Sequence, residues 1–244
     1  MQRFSALVAS LALSAGAAAQ SYQPWSGARL DDARFWSVPA EEIYPEGPPD
    51  FAHRLPLTLV ILDKTNWTEA RALRHVRKTA VIFAACKIEL GPITLARGRG
   101  PDGMHDIDMN ALAEGSNIPL DVVDLAARAP ASAPWPRVFF VGRLEGDDAL
   151  ARAYRRGAVD DKNLPQFPYM NSAWVSYQAH WRERSEKGYS SLAHELAHVL
   201  CECGHTDGET RHLLHGKRNF LGTKILDSDC AKMTSSSLLS LSPR

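Results

Sequence analysis

Five of the nine histidines fall between residues 194 and 215, and two of them belong to the run HELAH that begins at His194. Residues four apart on a helix lie on one face, about 5–6 Å from each other, so His194 and His198 can bind one metal ion. Glu195 lies next to this pair, where its carboxylate can take a proton from a metal-activated water without binding the metal. The pattern predicts metal-assisted hydrolysis with Glu195 as the general base.

The residues around this run predict that it lies on a helix embedded in the protein. Ser190 and Ser191 can cap the start of such a helix. Apolar residues recur at helical spacing on its other side; they are Leu192, Leu196, Val199 and Leu200. Buried histidines need polar or metal partners, so an apolar setting favours a metal site over a solvated helix face.

A third ligand is expected shortly after the helix, because catalytic zinc sites use three protein ligands and leave a fourth position for water. The chain continues with the run CECGH, which ends at His205. Gly204 can adopt a left-handed conformation and turn the chain back, which would carry His205 towards the metal.

Other ligands stay open at this point. Cys201 lies on the same helix face as His194 and could bind as a thiolate. Asp207 or Asp227 could take the third position, with Asp207 otherwise orienting His205. His212 and His215 are expected to be surface residues.

The run HELAHVLCECGH is similar to the metzincin zinc-peptidase signature H-E-x-x-H-x-x-G-x-x-H. Cys201 replaces the glycine, and His205 arrives one residue late. The resemblance implies Zn²⁺ held by His194, His198 and His205, and a polypeptide substrate lying along an edge strand. Residues 155–159 are the candidate for that edge. A thermolysin-like zincin would need a later Glu ligand, and none follows Glu209.

The metzincin family also has a Met-containing turn beneath the zinc. Leu214 stands at the corresponding place in this chain, and Met233 is a second candidate.

Hydrophobic patterning outside the motif predicts an α+β fold, a single zincin-like catalytic domain with a mixed sheet, a long helix and the active-site helix. The predicted elements are strands at 57–62, 88–95, 138–141 and 173–177 and helices at 66–86, 120–128 and from 190. Residues 20–55 are rich in proline and predict an extended arm, 56–233 form the domain, and 234–244 are expected to be a flexible tail.

Residues 1–19 combine an early arginine, a short apolar run and the exit Ala17–Ala19, which is typical of a cleaved signal peptide. We therefore expect a secreted or periplasmic protein in which disulfides can form. The four cysteines allow three pairings. Because a bond between Cys201 and Cys203 would close a small, strained ring, we expect at least one of them to bond to Cys86 or Cys230. The alternative is a single Cys86–Cys230 bond with two free thiols.

The net charge of the full sequence is zero, which argues against nucleic-acid binding and against a polybasic membrane-surface protein. Beyond the signal peptide no apolar run is long enough to span a membrane. We expect a monomeric, secreted zinc endopeptidase. Two alternatives are a zinc-binding, non-proteolytic extracellular interaction or toxin-like module, and a disulfide-stabilised binding protein whose histidines hold no metal.

Overall fold

The computed structural model describes residues 30–113, 118–129, 134–146, 149–155, 169–185, 189–207, 211–216 and 222–241. The predicted signal peptide lies outside these ranges. Within them, no helix has the length and apolar character needed to cross a membrane.

Strands and helices alternate at the start of the described chain, and a run of consecutive strands follows before the last helices. The strands are β1 (Asp31–Val38), β2 (His53–Leu62), β3 (Ile88–Arg99), β4 (Ile107–Asp108), β5 (Arg137–Val141), β6 (Leu144–Glu145), β7 (Ala151–Tyr154), β8 (Ser172–Ser176) and β9 (Ser240–Leu241). The helices are α1 (Ala40–Ile43), α2 (Glu69–Phe83), α3 (Leu120–Arg128), α4 (Tyr177–Ser185), α5 (Ser191–Cys201) and α6 (Asp227–Thr234).

The main sheet is mixed, as predicted, and its strands lie in the order β1-β3-β2-β5-β8-β7. The four central strands are parallel, whereas β1 and β7 are antiparallel to their neighbours at the two edges. β4 and β6 form a separate small parallel sheet. The predicted α+β class is confirmed, and the antiparallel edge strand β7 is the part of the sheet that matters for the site described below.

The continuous apolar run at 57–62 is a central strand buried on both faces, the usual pattern of a parallel sheet covered by helices. Leu57, Leu59 and Ile61 face the core beneath α2 and α5, while Val60 and Leu62 face the core beneath α3. The sheet therefore separates two apolar layers, and α5 is packed into the larger of them.

Parts of both terminal segments pair with the main sheet. Residues 31–38, in the predicted arm, pair with β3 as edge strand β1, and residues 240–241, in the predicted tail, pair with the start of β2 as β9. Leu238 and Leu239 also pack against the larger core. Apolar side chains in each segment meet the core, which proline content and a serine-rich composition did not indicate.

The disulfide pairing also differs from the favoured prediction. Cys86 bonds to Cys230, and Cys201 bonds to Cys203, so no cysteine is free. The expectation that Cys201 or Cys203 would bond outside this pair is wrong. Helix α6 packs next to the turn that follows α2, which brings the Cα atoms of Cys86 and Cys230 within 5.0 Å of each other.

Candidate metal centre

Helix α5 carries His194, Glu195 and His198 and is buried over its first ten residues. The Ser190 side chain accepts a hydrogen bond from the backbone N–H of Ala193, which caps the helix as the sequence predicts. Leu192 and Leu196 belong to the larger core. The apolar face of α5 is thus anchored against the sheet while its polar residues face a cleft.

A buried carboxylate that the sequence analysis did not single out also holds the start of α5. Glu183 on α4 accepts a hydrogen bond from the backbone N–H of Ser191 at 2.7 Å. The same carboxylate lies 3.1 Å from His75 Nδ1 on α2. Negative charge near a helix N-terminus stabilises the helix, so this contact ties three helices together where the metal-binding face begins.

Three histidine side chains converge at the end of the cleft. His194 Nε2 lies 3.0 Å from His198 Nε2 and 3.1 Å from His205 Nε2. The three candidate ligand atoms all lie within 4.8 Å of one another. Two nitrogens bound tetrahedrally to one zinc at about 2.0 Å are separated by about 3.3 Å, so the spacing fits a shared ion.

In two of these rings, the hydrogen-bond partner of Nδ1 determines the tautomer. His194 Nδ1 lies 2.5 Å from the carbonyl oxygen of Leu213, and His198 Nδ1 lies 2.8 Å from that of Cys203. A carbonyl oxygen can only accept, so each Nδ1 carries the hydrogen and each Nε2 presents a lone pair. Lone pairs aimed at one another repel, and a cation between them resolves this. The donor set therefore fits a metal ion.

The pKa values of all three rings are lowered, which favours the neutral state that metal binding requires. Burial and the neighbouring His198 lower the pKa of His194 to about 3. Burial likewise lowers the pKa of His198 to about 4. The pKa of His205 is lowered by its burial and by the positive charges of Arg152 and Arg155.

Glu195 lies in the same cleft and is not one of the three converging groups. Burial raises the pKa of its carboxyl to about 8, while the positive charge of Arg152 acts in the opposite direction. A divalent cation nearby would further favour the carboxylate. A carboxyl whose pKa lies near neutrality can both accept and return a proton, as a general base must.

The turn that brings His205 back does not use Gly204 as predicted. The left-handed residue is Glu202, with φ +49°, directly after the last residue of α5. Gly204 is not among the residues with positive φ. Because the Cys201–Cys203 bond spans Glu202, the chain reverses there, two residues earlier than expected.

The alternatives for the third ligand are placed away from the histidine cluster. Cys201 is bonded to Cys203, so the thiolate interpretation is wrong. Asp207 and Asp227 are exposed, and neither belongs to the metal-binding group found among the described residues. His205 is the residue that the structure brings to His194 and His198.

His212 and His215 are buried, contrary to the surface position expected for them. His212 Nδ1 lies 2.9 Å from Thr206 Oγ1, and its Nε2 lies 2.8 Å from Asp229 Oδ2 on α6. Thr206 follows His205, so this chain of contacts anchors the third-ligand turn to α6. No local sequence pattern predicted the contact between His212 and Asp229, since Asp229 is seventeen residues beyond His212.

The segment that contains Leu214 passes directly below the histidines. The carbonyl of Leu213 accepts from His194, and that of Leu214 accepts from the backbone N–H of Thr206 at 2.9 Å. Leu214 and Met233 are both buried in the larger core. Leu214 thus follows the residue whose carbonyl supports His194, whereas Met233 belongs to α6.

We expect Asp229→Ala to lower the free energy of unfolding of the metal-free protein by about 3 kcal/mol, because removing one partner of a buried polar pair leaves the other unsatisfied. Urea unfolding in the presence of a chelator measures this without any contribution from metal binding. Asp227→Ala is the matched control, since Asp227 is exposed on the same helix. Equal stability of the two variants would show that the His212–Asp229 contact does not stabilise the turn.

The cleft around the histidines has a volume of about 370 Å³ and is lined on one side by β7. The described edge strand is Ala151–Tyr154, which ends just before the predicted edge at 155–159. Arg155 lines the cleft as well, and residues 156–159 lie outside the described ranges. Among the described residues, β7 is thus the edge strand that borders the cleft.

The described architecture resembles solved structures. Among them is metalloproteinase-II from Bacteroides fragilis, with a TM-score of 0.50 and 13% sequence identity. The alignment covers 75% of this chain and 52% of that structure, so the chain spans about half of its length. The chain therefore shares the fold of this structure over the aligned region. Neither a protein-family model nor a curated protein sequence matches it.

Proposed function

We propose that this protein is a zinc-dependent endopeptidase in which His194, His198 and His205 hold Zn²⁺ and Glu195 is the general base. The observation that carries the proposal is the convergence of three neutral histidine Nε2 atoms beside a buried carboxyl in one cleft. Three nitrogen ligands leave a fourth position open, which distinguishes catalytic from structural zinc sites. The fold shared with a metalloproteinase supports the same interpretation.

Zinc bound there would lower the pKa of a water molecule to about 7 and polarise the scissile carbonyl. The Glu195 carboxylate accepts the proton of the attacking water and later donates it to the leaving amine. The carbonyls of Leu213 and Cys203 orient His194 and His198 and keep both rings in the required tautomer.

The polypeptide substrate binds along β7. Within the described residues β7 is the last strand in the order of the main sheet, and an extended peptide would add beside it by backbone pairing. This strand borders the cleft that contains Glu195 and the histidines. A peptide paired with β7 would pass the metal centre with its backbone extended.

Export of the protein is part of the proposal. Both disulfides require an oxidising compartment, which agrees with the signal peptide predicted at residues 1–19. We propose a secreted or periplasmic location.

The decisive test combines metal analysis with an activity assay. We expect freshly purified protein to contain one zinc per chain, to cleave denatured protein substrates, and to lose this cleavage in chelator and regain it with added zinc. One bound zinc without cleavage would support the non-proteolytic zinc module instead. Absence of any bound metal would favour the disulfide-stabilised binding protein.

A further inference from the structure

Three arginines from different parts of the chain line the cleft of the metal centre. Arg152 lies on β7, Arg155 directly follows that strand, and Arg182 lies on α4. Among the described residues that line the cleft, Glu195 is the one acid. A cleft with this composition attracts anionic groups, and bound zinc would increase the positive potential further.

Arg155 and Arg182 have contacts that hold them close to the candidate ligands. Arg155 donates a hydrogen bond to the backbone carbonyl of Glu202, in the turn that leads to His205. The guanidinium of Arg182 lies 5.2 Å from the ring centroid of Tyr189, which also lines the cleft just before α5. These contacts keep the two guanidinium groups at the cleft wall instead of extended into solvent.

Arg152 has the position best suited to contact a substrate side chain. It lies in the middle of β7, and its charge acts on both Glu195 and His205. In an antiparallel pair, residues directly opposite each other point to the same face with Cβ atoms about 4.5–5.5 Å apart. The peptide residue opposite Arg152 would therefore place its side chain beside this guanidinium.

Small residues alternate with Arg152 along the same edge. Ala151 faces the core beneath α5, and alternation along β7 places Ala153 towards the same face. Alanine side chains leave room for a peptide backbone to approach the histidines. Selectivity is then supplied by the arginines, because a guanidinium presents its donors in a fork that matches a carboxylate.

We infer that the peptidase is selective for polypeptides with Asp or Glu within two positions of the scissile bond, and that Arg152 is the main residue determining this preference. This inference rests on the proposed endopeptidase function. The recognised chemistry is a carboxylate, which could come from an acidic side chain or from the C-terminus of a peptide. The inference assigns it to the side chain.

The test uses capped peptides, acetylated and amidated at their ends, that carry Asp, Asn or Lys at each of the three positions on either side of one cleavable bond. We expect the Asp peptide to exceed the Asn peptide about tenfold in kcat/KM at one position close to the bond, since a hydrogen-bonded ion pair is worth about one factor of ten. Added salt should reduce this ratio. A second set with free C-termini distinguishes the terminal carboxylate as the source.

Variants assign the preference to a residue. In Arg152→Gln the Asp-to-Asn ratio should approach one, and in Arg152→Glu the Lys peptide should become the better substrate. Arg143→Gln is the matched control, because Arg143 is exposed and does not line the cleft; its ratio should equal that of the parent. Zinc content measured for every variant verifies that the metal centre is intact.

Peptide binding provides a readout that does not depend on turnover. Fluorescence anisotropy with Glu195→Gln should show tighter binding of the Asp peptide, and the difference should disappear in Glu195→Gln/Arg152→Gln. Chelator-sensitive cleavage with equal rates for Asp, Asn and Lys peptides would overturn the inference and leave the peptidase function standing. A preference seen only with free C-termini would overturn the side-chain assignment. Zinc-loaded protein that cleaves no peptide would overturn both proposals.

Discussion

Glu195→Gln should retain zinc and lose peptidase activity by about a hundredfold or more, the usual contribution of a general base. Gln has nearly the same shape as Glu but cannot accept a proton, whereas the three histidine ligands are unchanged. Burial already favours the neutral form of this side chain, so the uncharged amide should not unfold α5. The measurement is kcat/KM on one peptide together with zinc content.

Glu202→Gln is the control for this prediction. Glu202 is an exposed glutamate seven residues further along, just beyond α5, and the same change of charge there should leave both kcat/KM and zinc content close to those of the parent. Near-normal activity of Glu195→Gln would remove Glu195 from the role of base. Loss of zinc in that variant would instead indicate that the carboxylate binds the metal.

His205→Ala should weaken zinc binding by about a hundredfold or more, because the variant removes one of the three nitrogen atoms proposed to hold the ion. The double variant Cys201→Ser/Cys203→Ser removes the disulfide but retains all three histidines. It should bind zinc within about tenfold of the parent, the lower end of the loss expected when ligand support is disturbed. Zinc titration against a competing chelator measures both affinities under identical conditions.

Asp207→Ala and Asp227→Ala serve as controls, since both side chains are exposed and outside the histidine cluster. Each should bind zinc like the parent. If His205→Ala retains its affinity for zinc while one of the aspartate variants loses it, the third ligand is that aspartate. The position of His205 next to the other two histidines would then be unrelated to metal binding. A large loss in the cysteine double variant alone would show that the disulfide, not His205, organises the site.

The active-site helix could be predicted from the sequence because its determinants are local. Four-residue spacing places His194 and His198 on one helix face, and Ser190 caps the helix start as expected. The buried strand at 57–62 and the long helix α2 were predicted for the same reason, since each has its own hydrophobic pattern. The α+β class followed from the order of such elements.

The sequence predicted the turn to His205 only in part. His205 was predicted to join the site from the turn expected after the helix and from the resemblance to a known signature, and the structure brings it to the other two histidines. The conformation of the turn was wrong, because Glu202 rather than Gly204 is left-handed. Propensity favours glycine in that conformation, but here the Cys201–Cys203 bond spans the residue between the two cysteines and overrides it.

Only the tertiary structure decided the features that depend on residues distant in sequence. Strand β7 is an edge because of its place in the sheet order, and the buried contact of His212 with Asp229 arises because α6 packs next to the loop below the histidines. The same applies to the pairing of Cys86 with Cys230, which are 144 residues apart. A local pattern encodes the histidines that share one helix face, whereas the groups that support and surround them meet only when the sheet and helices pack together.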